Sequence, residues 1–301
     1  MKKILLLTFS IMGLSASAQQ HMTPELLWKV GRVRALGITK DGKSIVYKVS
    51  TPNVAENKSD SKFYTIPVGG GAPKEVKEYK ELVKDKYLSP DGKWQLTHKE
   101  IKVGKVNGSD FYPELDKSTA QMYDGLDYRH WDTWNDGTHN HVGYAPVDNK
   151  DGFIDIMPNE PYDSPQKPFG GEEDYTWSPD GKSIIYVAKK KAGTEYAIST
   201  NTDLYQYDLA TKQTKNLTPN NPGYDTNPAF SPNGDLTWLQ MKRDGYEADK
   251  NDIIVRHKGV DINLTAGWDG TADSFTWSAD GKKVYFIAAV DGTKQLFEVN
   301  F

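Results

Sequence analysis

The chain contains no cysteine. No disulfide framework is available to it in any compartment, so apolar burial has to hold the fold together. Beyond the first fourteen residues no window offers about eighteen consecutive apolar residues, which argues against a helical membrane span. There is no excess of basic charge: 37 Lys plus Arg face 41 Asp plus Glu, a net charge of -4, which argues against nucleic acid as a main partner. No Gly-x-x-x-x-Gly-Lys sequence occurs, so no phosphate cradle is evident and no cofactor is expected. Nor does any Gly-x-Ser-x-Gly, the turn that displays a nucleophilic serine. Aromatic residues, by contrast, are plentiful, with 8 Trp, 17 Tyr and 10 Phe. They suit sheets packed face to face.

The N-terminus has Lys2 and Lys3, an apolar run from Ile4 to Leu14, and Ala16-Ser17-Ala18 as a small-residue cleavage site. This is the pattern of a secretory leader over residues 1–18, with Gln19 opening the mature chain and a periplasmic or secreted destination. Because no cysteine follows the apolar run, a lipid anchor is not expected. Losing Lys2 and Lys3 with the leader leaves 35 basic against 41 acidic side chains, a mildly acidic, soluble composition. About 283 residues remain, enough to bury a core.

One short stretch recurs through the chain. Trp177-Ser178-Pro179-Asp180-Gly181 is an apolar strand end followed by a tight turn, and Ser183-Ile184-Ile185-Tyr186 reads as the returning strand. Related turns are Ile38-Thr39-Lys40-Asp41-Gly42, Leu88-Ser89-Pro90-Asp91-Gly92, Phe230-Ser231-Pro232-Asn233-Gly234 and Trp277-Ser278-Ala279-Asp280-Gly281. Pro presets φ, and Asp-Gly or Asn-Gly accepts positive φ, so each predicts a hairpin. The glycines at 42, 92, 181, 234 and 281 are spaced by 50, 89, 53 and 47 residues. Asn216-Leu217-Thr218 and Asn263-Leu264-Thr265 also lie 47 apart, each Asn 18 residues ahead of its turn glycine. Phased turns with a phased second marker predict radial repetition: an all-β chain forming a β-propeller of about five recognisable four-stranded blades in an incomplete ring, rather than two stacked layers.

In chain order, Thr23 is placed to cap a short helix starting at Pro24. The polar residues 51–61 read as a solvated loop, and Phe63 to Val68 as a third strand, with Lys74-Glu75-Val76 opening a fourth. In the second unit the third strand is delayed to His139 to Pro146, so residues of about 100–130 read as an insertion. The competing reading places an extra blade there, since Asp136-Gly137 falls midway in the long gap, without a Ser-Pro or aromatic lead-in. The final unit ends on an apolar third strand, Gln295 to Phe301, with no fourth; the expectation is either a truncated last blade with an unpaired edge or a small ring closed by a strand borrowed from the N-terminus. The domains expected are thus the leader 1–18 and a propeller over 19–301.

These features resemble the N-terminal propeller of prolyl-oligopeptidase-type serine peptidases, especially bacterial dipeptidyl-peptidase and acylaminoacyl-peptidase-like members. The resemblance rests on the leader, the Ser-Pro-Asp-Gly hairpins, the segment Met122-Tyr123-Asp124-Gly125-Leu126-Asp127-Tyr128-Arg129-His130-Trp131-Asp132-Thr133-Trp134, and Pro168-Phe169-Gly170-Gly171-Glu172-Glu173. Tol-system periplasmic propellers share the hairpins but not the last two segments. The family's C-terminal α/β-hydrolase domain carries a Ser nucleophile on Gly-x-Ser-x-Gly, followed by Asp and His. With no such elbow here, no catalytic residue is assigned and the chain alone is expected to be inactive. What the resemblance implies is a propeller that gates and helps recognise peptides for a hydrolase domain outside this chain. The alternative is a standalone periplasmic propeller serving as a protein-interaction module.

Three residues are candidates for substrate binding. Glu172 and Glu173, adjacent carboxylates at the start of an inner strand, suit a peptide's α-ammonium through charge-assisted hydrogen bonds, a task some relatives give to a Glu pair. Arg129 lies with His130 and Asp132 among Tyr128, Trp131 and Trp134, where a buried Arg–Asp pair braced by aromatics competes with substrate contact. His139 and His141 share a strand face at i, i+2, but no third ligand stands at a telling spacing, so no metal is expected. Asp148 to Asp155 superficially matches a calcium loop, yet with Gly152 as the sixth position the first would be Val147 and the twelfth Pro158, so it reads as a turn.

Overall fold

A computed structural model describes residues 21–126 and 131–301. It divides into two units, residues 1–85 and 86–301. In the first, the Thr23 side chain accepts a hydrogen bond from Leu26 N (3.2 Å) and caps α1 (Pro24–Lys29), with proline in the first turn. The sheet that follows runs in sequence order through β1 (Arg32–Ile38), β2 (Ser44–Asn53), β3 (Lys58–Pro67) and β4 (Lys74–Val76), all antiparallel.

Residues 51–61 are not a loop. β2 and β3 stay paired from Ser44↔Pro67 to Asn53↔Lys58, and only four residues turn between them. The hairpin lacks apolar alternation because its distal part is solvent-exposed. Polar contacts replace the core there: Ser50 Oγ meets Ser61 Oγ at 2.8 Å, Asn53 Nδ2 donates to Asp60 Oδ2 at 3.3 Å, and Asn57 takes positive φ in the turn. Sequence patterning has no means of finding a strand that faces water on both sides.

The second unit holds four further sheets. The first comprises β5 (Trp94–Lys102), β6 (Thr138–Pro146) and β7 (Ile154–Asp155), its inner strand reduced to a bridge between Leu88 and Gln95. β5 and β6 pair along their whole length, so the long gap is an insertion and not another blade. Its limits are 103–137, shifted from the expected 100–130 because β5 runs on to Lys102. The insertion folds on itself around α2 (Gly108–Phe111): Gly108 N donates to Ala120 O (2.8 Å) and Met122 N to Val106 O (2.7 Å). Asp110 Oδ2 collects Val106 N and Asn107 N, each at 2.8 Å, and Lys102 Nζ at 3.0 Å, which hold its carboxyl down at about 2.

The next sheet is β8 (Tyr175–Trp177), β9 (Ser183–Ala188), β10 (Asp203–Asp208) and β11 (Thr214–Asn216), with α3 (Gly193–Ile198) between β9 and β10. Then come β12 (Asp225–Phe230), β13 (Leu236–Gln240), β14 (Asp252–His257) and β15 (Val260–Asn263), and last the three-stranded β16 (Ala272–Trp277), β17 (Lys283–Val290) and β18 (Thr293–Asn300).

Strand alternation turns these sheets into a stack. From β9, Ile184, Tyr186 and Ala188 join Leu96, Val142 and Tyr144 of the preceding sheet in one core, whereas Ile185 and Val187 point the other way, to Leu236, Trp238 and Ile254 of the following one. Leu239 and Ile253 in turn meet Val284, Phe286 and Ala288. A period of two thus feeds two cores from one strand, the packing of propeller blades.

The recurring turns share one chemistry. Ser178 Oγ donates to Asp180 Oδ1 (2.7 Å) and accepts from Ser183 N (2.9 Å); Asp180 Oδ1 also accepts from Lys182 N (3.1 Å), and Gly181 sits at φ +68°. Thr39–Asp41, Ser89–Asp91 and Ser278–Asp280 repeat these bonds. In the Asn233 turn, one residue tighter, Ser231 Oγ accepts from Asp235 N instead (3.0 Å). The Asn-Leu-Thr markers close strand ends: Asn216 and Asn263 accept from Thr218 N and Thr265 N (both 2.9 Å), and each Thr Oγ1 accepts a strand amide, Leu204 N or Ile253 N (both 3.0 Å). The fold class is that of a β-propeller.

Candidate recognition site on the loop before β8

The loop 156–174 connects β7 to β8 and carries the two acidic candidates. Asp163 ties it to β6: its Oδ1 accepts from Asn140 N (2.8 Å), its Oδ2 meets His139 Nδ1 (3.1 Å), and Lys167 Nζ lies 3.5 Å from Oδ1. Ser164 N donates to Asn140 O (2.8 Å), and Lys167 reaches Glu100 of β5 at 3.2 Å. Asp174, buried at the loop's end, accepts from Gln166 N (2.9 Å), while its own N–H donates to Gly171 O (3.0 Å) and Gly170 N donates to Gln166 O (2.7 Å). A Cβ on Gly170 would stand 2.3 Å from Asp174 Oδ2 and 2.5 Å from Gln166 N, so no larger residue fits.

Glu172 and Glu173 project from this frame in a single 3-10 turn, Glu172–Asp174, immediately before β8. Both are exposed, and the Glu173 carboxylate folds back over Gly171, 2.7 Å from where a Cβ would be. Beneath them is an aromatic floor. The Tyr87 hydroxyl donates to Glu172 O (2.9 Å), Trp177 Nε1 donates to Tyr87 O (2.8 Å), and Tyr175 OH meets His98 Nδ1 at 3.1 Å. Burial drives the Asp174 carboxyl up to about 7; the Gln166 amide opposes that rise and Glu173 adds to it. Burial also raises the Tyr175 phenol, with Glu172 next in effect, so the hydroxyl stays protonated, and the tautomer of His98 sets the direction of their hydrogen bond.

Phe169 is displayed on the same loop, 76% exposed, with its ring 5.4 Å from that of Trp131 in an edge-to-face arrangement. Trp131 and Trp134 are each 66% exposed, and the Arg129–Asp132 pair they were expected to brace cannot be placed because its arginine lies outside the described residues. Arg129 and His130 lie outside the described residues.

The histidine buried in β6 is structural. His141, fully buried, places Nδ1 at 2.8 Å from Asp155 Oδ2 and Nε2 at 2.9 Å from Glu160 O. Two acceptor-only partners require two N–H donors, so the ring is a cation with no lone pair for a metal. Its pKa moves accordingly: burial pulls it down, but the Asp155 carboxylate and Glu160 together outweigh this and the net shift is upward. The 148–155 stretch is a turn, with Gly152 N donating to Asn149 O at 3.0 Å. Among the described residues no group of three His, Asp or Glu is placed to hold a metal, and no helix is long and apolar enough to cross a membrane.

The sequence reading found the two glutamates but missed the frame that holds them. Asp174 carried a weak signal as a third acid entering an apolar strand. Tyr87 and His98 are brought to Tyr175 only by sheet stacking.

The geometry defines a propeller carrying a rigid acidic loop. No protein-family model matches the chain. Among curated proteins it is 34% identical to dipeptidyl-peptidase 5 of Porphyromonas gingivalis, over 93% of this chain and 48% of that protein. To dipeptidyl-peptidase 5 of Porphyromonas endodontalis it is 32% identical, over 94% of the chain and 48% of the relative. Among solved structures, an acylaminoacyl peptidase of Pyrococcus horikoshii shares the fold, with TM-score 0.60 at 12% identity over 90% of this chain and 45% of that one. The chain is thus a β-propeller similar to dipeptidyl-peptidase 5, and it spans about half the length of the curated relatives it matches.

Proposed function

We propose that this propeller admits and helps recognise peptides for a serine-peptidase domain, and that Glu172 and Glu173 receive the peptide's α-ammonium. The reading includes export directed by residues 1–18 and partnership with an α/β-hydrolase domain that supplies the nucleophile. The observation that carries it is the similarity to dipeptidyl-peptidase 5 over nearly the whole chain, joined to two exposed carboxylates on a loop fixed by Asp163 and Asp174. A pair of carboxylates matches an ammonium, which offers three donors and a positive charge. The frame holds the pair in place beforehand, so little ordering entropy is lost on binding.

Calorimetric titration of the full chain with a free-amine tripeptide and its N-acetyl form tests the assignment. The free amine is expected to bind at least about tenfold more tightly, the scale of one charge-assisted contact. Glu172→Gln together with Glu173→Gln should erase that preference. Equal binding of both peptides overturns the role of the pair.

A further inference from the structure

Three residues before the acidic pair on the same loop, Phe169 meets Trp131 without contributing much to the fold. Phe169 and Trp131 leave 76% and 66% of their surfaces in water, so little of their apolar area stabilises anything. Yet the loop that displays Phe169 is over-determined: Gln166 and Asp174 close it, Gly170 has no room for a side chain, and Lys167 is held between Glu100 and Asp163. Two glycines then separate the exposed ring from Glu172, and the Glu173 carboxylate lies over the second of them. A rigid segment five residues long therefore presents an apolar surface and a double negative charge.

We propose that Phe169, backed edge-on by Trp131, is a specificity-determining shelf for the first side chain of a peptide, selecting an apolar or aromatic residue there. This rests on the reading that Glu172 and Glu173 hold the α-ammonium. In an amino-terminal residue the ammonium and the side chain leave the same carbon. A ligand held at the carboxylates carries its first side chain within reach of a surface a few residues away. An apolar side chain covers ring area that is now wet, and an aromatic one adds ring–ring contact. A glycine gains neither. A polar first residue loses hydration against the rings without a partner to replace it.

The test is a ladder of peptides titrated into the full chain: Gly-Ala-Ala, Leu-Ala-Ala and Phe-Ala-Ala with free amines, and acetyl-Leu-Ala-Ala. Leu- and Phe-first peptides are expected to bind at least about fivefold more tightly than Gly-first, the scale of a ring contact. Phe169→Ala should bring all three free-amine peptides within about twofold of one another, leaving the Gly-first affinity unchanged, and Phe169→Leu should restore most of the Leu-first gain. The exposed position makes an unchanged melting temperature the expected control. Equal affinities for Gly- and Phe-first peptides, with acetylation still costly, overturn the shelf and leave the ammonium reading standing. A first-residue preference that survives in Phe169→Ala also overturns it. If acetylation costs nothing, or no peptide binds, the ammonium reading falls and the shelf with it.

Discussion

Asp180 and Asp174 lie six residues apart on either side of β8 and behave in opposite ways. Asp180 belongs to a turn the chain repeats. Its carboxylate meets a hydroxyl and an amide in solvent, and the Ser178 hydrogen bond leads the causes that depress its pKa. Asp174 belongs to a loop that occurs once. It is buried with one amide donor, Gln166 N, and burial lifts it to about 7. The repeated element satisfies its polar groups locally, which lets it be copied wherever a hairpin is needed. The unique loop leaves a carboxyl under-solvated and the Phe169 ring exposed, costs a scaffold does not need. Departures of this kind, and not the repeats, are where functional sites are to be sought.

Substitution at the two kinds of glycine should break the contrast most visibly. Gly170 has no space for a methyl group, since Gln166 N and O and Asp174 Oδ2 all lie within 2.6 Å of the added Cβ. Two of those atoms are backbone and cannot swing aside. Gly170→Ala is expected to lower stability by about 2–3 kcal/mol in urea unfolding, the range of an overpacked site. Gly234, in a repeated turn, has open space around it but φ of +90°. Gly234→Ala should cost about 1 kcal/mol through backbone strain alone. Equal losses at the two positions would remove the distinction between a crowded loop and an open turn.

The buried carboxyl predicts a pH dependence of opposite sign to that of the turns. Its folded pKa of about 7 exceeds the unfolded value, so between roughly pH 4 and 7 the folded state holds a proton that the unfolded state has lost. Stability therefore falls as the pH rises through that window and levels off above it. The loss amounts to something on the order of 3 kcal/mol for a shift of this size. Asp174→Asn cannot ionise, so the difference between the unfolding free energies of the two proteins should change by that amount between pH 5 and 8. Parallel profiles would show that Asp174 titrates as it does in the unfolded chain. Asp225, pushed by burial to about 6, contributes a similar slope to both proteins and cancels in the difference.

How much of this was readable in advance follows the same division. The turns at Asp41, Asp91, Asp180, Asn233 and Asp280 announce themselves because their bonds run between residues at most five apart. Strands with buried faces, such as 183–188, are legible from apolar content. The polar hairpin at 51–61 is not, because nothing apolar marks its faces. Of the candidate site, Glu172 and Glu173 were visible as an acidic pair. The contacts that fix them were not: Tyr87 to Glu172 spans 85 residues, and His98 to Tyr175 spans 77. Such pairings are set by the stacking of sheets, which local pattern does not encode.

The smallest expected effect asks what depresses the turn carboxylates. Lys182 Nζ lies 4.0 Å from Asp180 Oδ2, but the ammonium is 80% exposed and an ion pair so placed is screened by water and salt. The two hydrogen bonds, from Ser178 Oγ at 2.7 Å and Lys182 N at 3.1 Å, are short and fixed by the turn itself. Ser178→Ala removes one of them and also orphans Ser183 N, which donates to the same oxygen inside the sheet. It should cost about 1–2 kcal/mol and move the Asp180 titration, followed by NMR, back toward the ordinary carboxylate range. Lys182→Met keeps the backbone donor and should leave both stability and titration nearly unchanged. Because the depressed pKa is a native-state property, the turn's contribution is present at neutral pH and disappears as the solution is acidified below the usual carboxylate range. A larger titration shift in Lys182→Met than in Ser178→Ala would mean that the charge, and not the hydroxyl-to-aspartate bond shared by four of the five turns, sets the behaviour of the repeat.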